Sequence, residues 1–299
     1  MPVNPLVVVF LIPALFCGVH ITKIKNHSKE PVKKIQEVRI EPKYEIIKYN
    51  DPPGYRELNL FTLDKKNQLN LNAVVSPDFK YMTYTEVYTY SQNNSTLSSV
   101  FLIELDQKLS QKDKILKAYV GNKTAKAVIE SNFSDVKDWL FNTYTIVDWN
   151  EAGDKLLIKE KIGKNFDKVY ATKLYVYDVE SEKLYNLEEI RNFILAYWQS
   201  KKNIRLDDYK WDIQPLGWDA DNSDKIIVNA YGYYKNQKKF LGTWNCDYNG
   251  RLSSLLSLDK DNIYKISQNG FCLKSTPQQI IIYKENKNFL KKILVKRKQ

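Results

Sequence analysis

The chain has 299 residues, 43% of them hydrophobic, enough to build one sizeable core or two small ones. Its formal charge is +11, but the excess sits at the ends: residues 23–48 net +4, residues 284–299 net +6, and residues 49–283 only +1. A near-neutral body argues against a nucleic-acid groove, which needs basic residues along the body itself. The two histidines, His20 and His27, both precede the body, so Ser-His-Asp, Cys-His and imidazole-metal chemistry have no histidine to use there.

Residues 5–22 carry no Asp, Glu, Lys or Arg. An apolar run of this length reads as an export signal or a membrane anchor, which places the protein at a membrane or beyond it. Residues 1–4 hold no basic residue, Lys23, Lys25 and Lys29 follow the run, and no small-x-small cleavage site is visible, features that fit an uncleaved anchor better than a cleaved signal. The segment 1–22 is therefore set apart, with a helix or strand buried in the fold as the alternative. Residues 23–54 mix charge with Pro31, Pro42, Pro52 and Pro53 and read as an extended linker. The run Pro52-Pro53-Gly54 ends it, so the body is expected over 55–299, with a basic C-terminal tail.

Inside the body, 57–63 alternates apolar and polar residues and is followed by short strand-like runs at 69–71 and 73–75. The turn Ser76-Pro77-Asp78-Phe79-Lys80 leads into a strand over 81–87, then one over 100–105 and a weaker one over 115–119. A second copy runs through 145–149, a polar turn over 150–154, and strands at 155–158, 173–178 and 183–187. Residues 187–198 place Ile190, Phe193, Ile194 and Tyr197 at helical spacing. A third copy opens at 216–218, turns over 219–224, and continues through 225–230, 240–248 and 251–256, with Asn249-Gly250 as a hairpin signal. A weaker copy spans 266–295. Aligned on Lys80, Lys155 and Lys225, the copies stand 75 and 70 residues apart, long enough for insertions at 127–140 and 187–198. Four short strands per copy predict an all-β fold, a small β-propeller of about four blades (five also fit the spacing) with short helical insertions. Pairing of 57–71 with 280–295 would seal its ring.

The run SPDFKYMTYTEV resembles the turn of TolB-like propeller repeats, relatives of the WD repeat, in which Ser-Pro-Asp-Gly-Lys leads into a run of apolar residues. DWNEAGDKLLIKE and GWDADNSDKIIVNA are similar, with Trp149 and Trp218 in the aromatic position before the turn, and LYVYDVESEKLYNL is similar to the outer hairpin. Phe79 departs from the family pattern, standing where glycine is usual, and the second and third turns are longer. The resemblance implies a propeller, and commonly an envelope protein that binds other proteins. It implies no activity, since one fold hosts many functions.

No P-loop, GxGxxG, GxSxG or CxxC motif occurs, and no catalytic residue, metal ligand set or cofactor is assigned. Cys246 and Cys272 could pair in an oxidising compartment or remain separate buried thiols. A carboxylate pair of the glycosidase kind needs no histidine, and Glu86, Asp148, Asp212 and Asp219 are the acids that could supply it, against a plain reading as turn and surface residues. Asp219 to Asp224 resembles the start of a calcium loop but lacks the sixth-position glycine and the bidentate acid, which favours a structural turn. The stretch 204–218 gathers Asp207, Asp208, Tyr209, Trp211, Asp212 and Trp218, a set that would suit a ligand face for a peptide or sugar, or an insertion clamped by its aromatics. The expectation is a non-catalytic scaffold at the bacterial cell envelope with a protein or peptide partner. A carbohydrate-active enzyme and a purely structural envelope protein are the alternatives.

Overall fold

The computed structural model describes residues 69–70, 73–90, 93–121, 125–132, 137–164, 169–234, 237–275, 279–283 and 293–296, all within the unit Arg39–Gln299. The expectations for 1–22, 23–54 and 57–63 lie outside the described residues. Among the described residues no helix is long and apolar enough to cross a membrane.

The described chain is mostly β. Strands β1 (Leu69–Asn70), β2 (Val74–Val75), β3 (Tyr81–Tyr90) and β4 (Ser95–Glu104) precede helix α1 (Gln111–Gly121) and β5 (Lys126–Glu130). Next come β6 (Leu140–Trp149), β7 (Lys155–Lys164), β8 (Val169–Asp178) and β9 (Lys183–Asn186), then helix α2 (Glu189–Lys202) and a 3-10 turn at Leu206–Asp208. The chain continues through β10 (Lys210–Asp219), β11 (Lys225–Tyr234), β12 (Gln237–Asp247) and β13 (Ser253–Ser257). It ends with β14 (Ile266–Ser267), β15 (Phe271–Ser275), β16 (Gln279–Tyr283) and β17 (Ile293–Lys296).

Three antiparallel meanders of four strands emerge: β2 to β5, β6 to β9, and β10 to β13. Each first hairpin is set by a polar turn whose side chains hold its own backbone. Ser76 Oγ donates to Asp78 Oδ1 (2.6 Å) and accepts from Tyr81 N (3.0 Å), while Asn150 Oδ1 accepts from Gly153 N, Asp154 N and Lys155 N at 3.0–3.1 Å. In the third turn Asp219 Oδ1 accepts from Asp221 N (2.9 Å). Such side-chain bonds substitute for ladder bonds where the chain reverses. Phe79 takes a left-handed φ of 59° in the first turn and Gly153 one of 78° in the second. The phenylalanine tolerates this because its ring lies 4.6 Å from Phe271 and packs on the cluster of Val75, Met82 and Ile115.

The first two meanders fuse into one sheet of 12 strands through a short parallel seam, Thr96↔Phe141 and Leu97↔Asn142. Serines lengthen that seam. Ser95 Oγ donates to Lys137 O (2.7 Å) and accepts from Leu140 N (3.1 Å), and Ser98 Oγ accepts from Tyr144 N (2.6 Å). The third meander and β14 make a separate sheet of five strands, roofed by α2. Ile190 and Ile194 of α2 are buried with Trp218, Val228 and Trp244, so the helical spacing read from 187–198 does pack a core.

A strap over 266–272 crosses the ends of the three first strands. Ile266 and Ser267 pair with Asp219 and Trp218 of β10, and Phe271 and Cys272 pair with Val75 and Val74 of β2. Between them, Asp148 at the end of β6 accepts Asn269 N at Oδ2 (2.8 Å) and Gly270 N at Oδ1 (2.9 Å), with Trp149 N also on Oδ1 (2.8 Å). Bulges at 146–148 and 215–217 interrupt the ladders just before those strand ends and turn their last residues toward the strap.

Several expectations need correction. Neither sheet closes on itself: the larger ends on β17 and β9, the smaller on β13 and β14. The seal expected between 57–71 and 280–295 is not made by the described residues, since Leu69–Asn70 pairs with β3 and β16 lies between β15 and β17. The strand expected at 115–119 is part of α1, because Ser110 caps that helix: its Oγ accepts from Asp113 N (3.2 Å) and donates to Asp113 Oδ2 (2.6 Å). The strand expected to open at 216–218 begins earlier, at Lys210, so β10 takes in most of the stretch read as a ligand face or insertion. At Asn249-Gly250 only the glycine has a positive φ (75°), so the turn is not the two-residue type in which both residues do.

Replacing Asp148 with Ala leaves up to three buried amide N–H groups unpaired and is expected to lower unfolding free energy by about 3 kcal/mol, read by urea denaturation. Phe79→Gly should prove more stable than Phe79→Ala by about 1 kcal/mol, because both lose the ring but only alanine keeps the left-handed strain. Equal stability of the two variants would refute the strain argument.

Candidate functional site

The stretch 204–218 splits into three environments. Helix α2 ends on Asn203, whose left-handed φ of 54° redirects the chain, and the 3-10 turn Leu206–Asp208 follows. Leu206 is buried against the α2 core, and Tyr209 N donates to Leu206 O (2.9 Å), so the turn is held from beneath. Asp207 and Asp208 therefore face solvent beside Tyr209, which is 49% exposed, with Ile204 also exposed nearby in the chain.

Trp211 and Asp212, the next residues on β10, belong to a cross-element clamp. The Arg191 guanidinium of α2 lies 4.3 Å over the Trp211 ring and bonds Asp212 Oδ1 (2.9 Å). Asp212 also accepts from Thr172 N (2.8 Å) and Thr172 Oγ1 (2.6 Å) on β8. Trp218, seven residues on and roughly 20 Å along the strand at the ordinary rise, is fully buried, its Nε1 donating to Asp148 O (3.2 Å). The structure thus brings Asp207, Asp208 and Tyr209 together on one exposed turn, follows them with the clamped Trp211 and Asp212, and places Trp218 in the core.

A second polar cluster escaped the sequence reading. Glu160 of β7 is only 3% exposed, and its Oε1 accepts from Asn142 Nδ2 (2.8 Å) and Tyr144 Oη (3.2 Å), its Oε2 from Tyr175 Oη (2.8 Å). Asn142 Oδ1 in turn accepts from Ser131 Oγ (2.8 Å), which ties the cluster to the serine seam. Burial, then the neighbouring Glu160 carboxylate, pushes the Tyr144 and Tyr175 phenols well above their ordinary range. The flanking Lys159 and Lys161 make Glu160 look like part of a solvated charge run. The signal that it is not was the unbroken apolar stretch just before it, Leu156 to Ile158, which marks a strand covered on both faces.

The other acids are also engaged with the fold. Glu86 accepts from Tyr88 Oη (2.6 Å), and Asp148, Asp212 and Asp219 hold the strap, the clamp and a turn as described above. In the calcium-like loop Asn222 Oδ1 accepts from Asp224 N (3.2 Å), so the turn's own backbone uses its oxygens. Among the described residues no group of three or more His, Cys, Asp or Glu is placed to hold a metal ion. Cys246 is a free, buried thiol, so the disulfide alternative is not the one formed. Burial, then Asp247, raises its pKa to about 12.

These groups give the fold a direction of pH dependence. A thiol or phenol whose pKa is raised on folding keeps its proton in the native state while the unfolded chain loses it, so stability falls as pH rises. Unfolding free energy should hold up to about pH 8 and decline from about pH 9 upward, with Cys246→Ala flattening part of the slope. In a chain carrying Cys17→Ser and Cys272→Ser, Ellman's reagent at pH 8 should leave Cys246 unmodified in the native state and label it in denaturant; rapid native labelling would contradict the burial.

No family model matches the chain, and no curated protein matches it. Among solved structures, a variant of the isopeptidase AtxE2 with astexin3-dC4 bound is similar over 74% of this chain and 43% of that one, at 8% identity and a TM-score of 0.32. The chain spans less than half the length of that protein.

Proposed function

We propose that the chain is a non-catalytic, TolB-like propeller scaffold of the bacterial cell envelope that binds a protein or peptide partner through the rim formed by Asp207, Asp208 and Tyr209. The carrying observation is the exposed tyrosine on a braced turn: Leu206 anchors the turn in the core, and the Arg191–Trp211–Asp212 clamp stiffens the strand behind it. A large amphipathic ring held in place before binding loses little conformational freedom on contact, which is why tyrosine serves well at interfaces.

The propeller part rests on the repeated unit. Three meanders begin with equivalent turns, and residues 266–272 meet the first strand of each, as strands gathered about a common axis would be met. The envelope part rests on the apolar run at 5–22 and on the resemblance of the turns to TolB-like repeats. The alternative of a carboxylate pair draws no support from Glu86, Asp148, Asp212 or Asp219, each of which is engaged by its own surroundings.

A photo-crosslinking residue placed at Tyr209 in the full chain, expressed in cells, should give a discrete adduct. The same residue at Leu252, which is 69% exposed on another turn, should not. Adding Asp207→Asn and Asp208→Asn should reduce the Tyr209 adduct at least severalfold while leaving the circular dichroism spectrum unchanged. Equal adducts from both positions would sink the assignment of the rim.

A further inference from the structure

We propose that the ends of β2, β6 and β10 form an acceptor site for an extended peptide, and that residues 266–272 are its built-in, exchangeable occupant. This goes beyond the rim and stands independently of it. The strap is bound chiefly by its main chain. It pairs over two residues with β10 and two with β2, and it meets β6 through two of its own N–H groups on the Asp148 carboxylate. Recognition of that kind is the mode by which sheet edges take in added strands.

Four positions matter beyond the main-chain pairing, and these define the ligand; one is Asn269, a buried residue whose Nδ2 donates to Trp149 O (2.9 Å). Ile266 fills a small cluster with Leu216 and Ile227. Gly270 sits where an added Cβ would stand 2.5 Å from Val74 Cγ1 and 2.9 Å from Asp148 Oδ1, so only glycine fits. Phe271 follows, its ring tilted against that of Phe79 with centroids 4.6 Å apart. The acceptable peptide is an extended chain with an aliphatic residue, two further residues, then Asn, Gly and an aromatic.

Two observations point to exchange. The strap fills the seam imperfectly: Trp149 Nε1, in a fully buried ring beside Gly270, and Gln268 Oε1 in the strap itself have no hydrogen-bond partner among the described residues. The segment leading into it also lies on the surface, with Asp259, Asp261, Asn262, Ile263 and Lys265 all exposed and no regular strand before β14. A segment with a solvated approach and short pairings is the kind that opens locally before the rest of a fold does.

The test uses the full chain and a fluorescein-labelled synthetic peptide of residues 264–275. Gly270→Val in the protein prevents its own strap from seating, and this variant should bind the peptide at least tenfold more tightly than the wild type. A peptide carrying the same Gly-to-Val change should not bind. A folded Gly270→Val protein that ignores the peptide overturns the proposal. Hydrogen exchange on the wild type decides the matter should that variant fail to fold: the amides of Asn269 and Gly270 should exchange at least tenfold faster than those of β7 and β11, and equal protection would overturn the proposal.

Discussion

A single buried carboxylate organises the described fold. Asp148 is 7% exposed, yet it receives three backbone N–H groups, one from its own strand end and two from a segment more than a hundred residues later. A carboxylate buried without donors would be strongly unfavourable, and orphaned amides at a strand crossing nearly as much so. Each side of the contact removes the other's penalty. The contact therefore fixes where the late segment crosses the β6 end, and with it where β14 and β15 meet their partners.

Around that point the two sheets are joined by interactions of different kinds. In the larger sheet serines add side-chain bonds where the parallel ladder is two pairs long. Contact between the sheets combines apolar burial around Trp218 and Trp244 with the Asp212 clamp to Thr172 and Arg191. Full burial of such large side chains stabilises by about 2–3 kcal/mol each, more than any one polar contact here. The polar bonds mainly determine which arrangement of strands the burial selects.

Much of the strand pattern was legible in the sequence, because alternation and polar turns are local signals. The turns after Val75, Trp149 and Trp218 and the helix over Ile190 and Ile194 could be read without long-range knowledge. What escaped was of two sorts. Ser110 and Asp113 form a cap that outweighs the β-like look of the residues after it, a signal present but not weighed. The roles of Asp148 and Glu160 were not locally visible, since their partners lie far along the chain or across strands, and flanking lysines disguised one of them. The stretch over 204–218 mixed exposed, clamped and buried residues, which composition alone cannot separate.

The repeats also differ in one telling place. At the penultimate residue before each first turn the three copies carry Val74, Asp148 and Gly217. If the three strand ends were alike, a crossing segment would have no unique register against them. Only one copy presents an acid to its amides, and only one presents a glycine that admits Ile266 closely (an added Cβ there would lie 2.7 Å from Ile266 Cγ2). The difference at this position therefore gives the strap one setting in which both its amides and its isoleucine are accommodated, and so selects a single arrangement of the three strand ends.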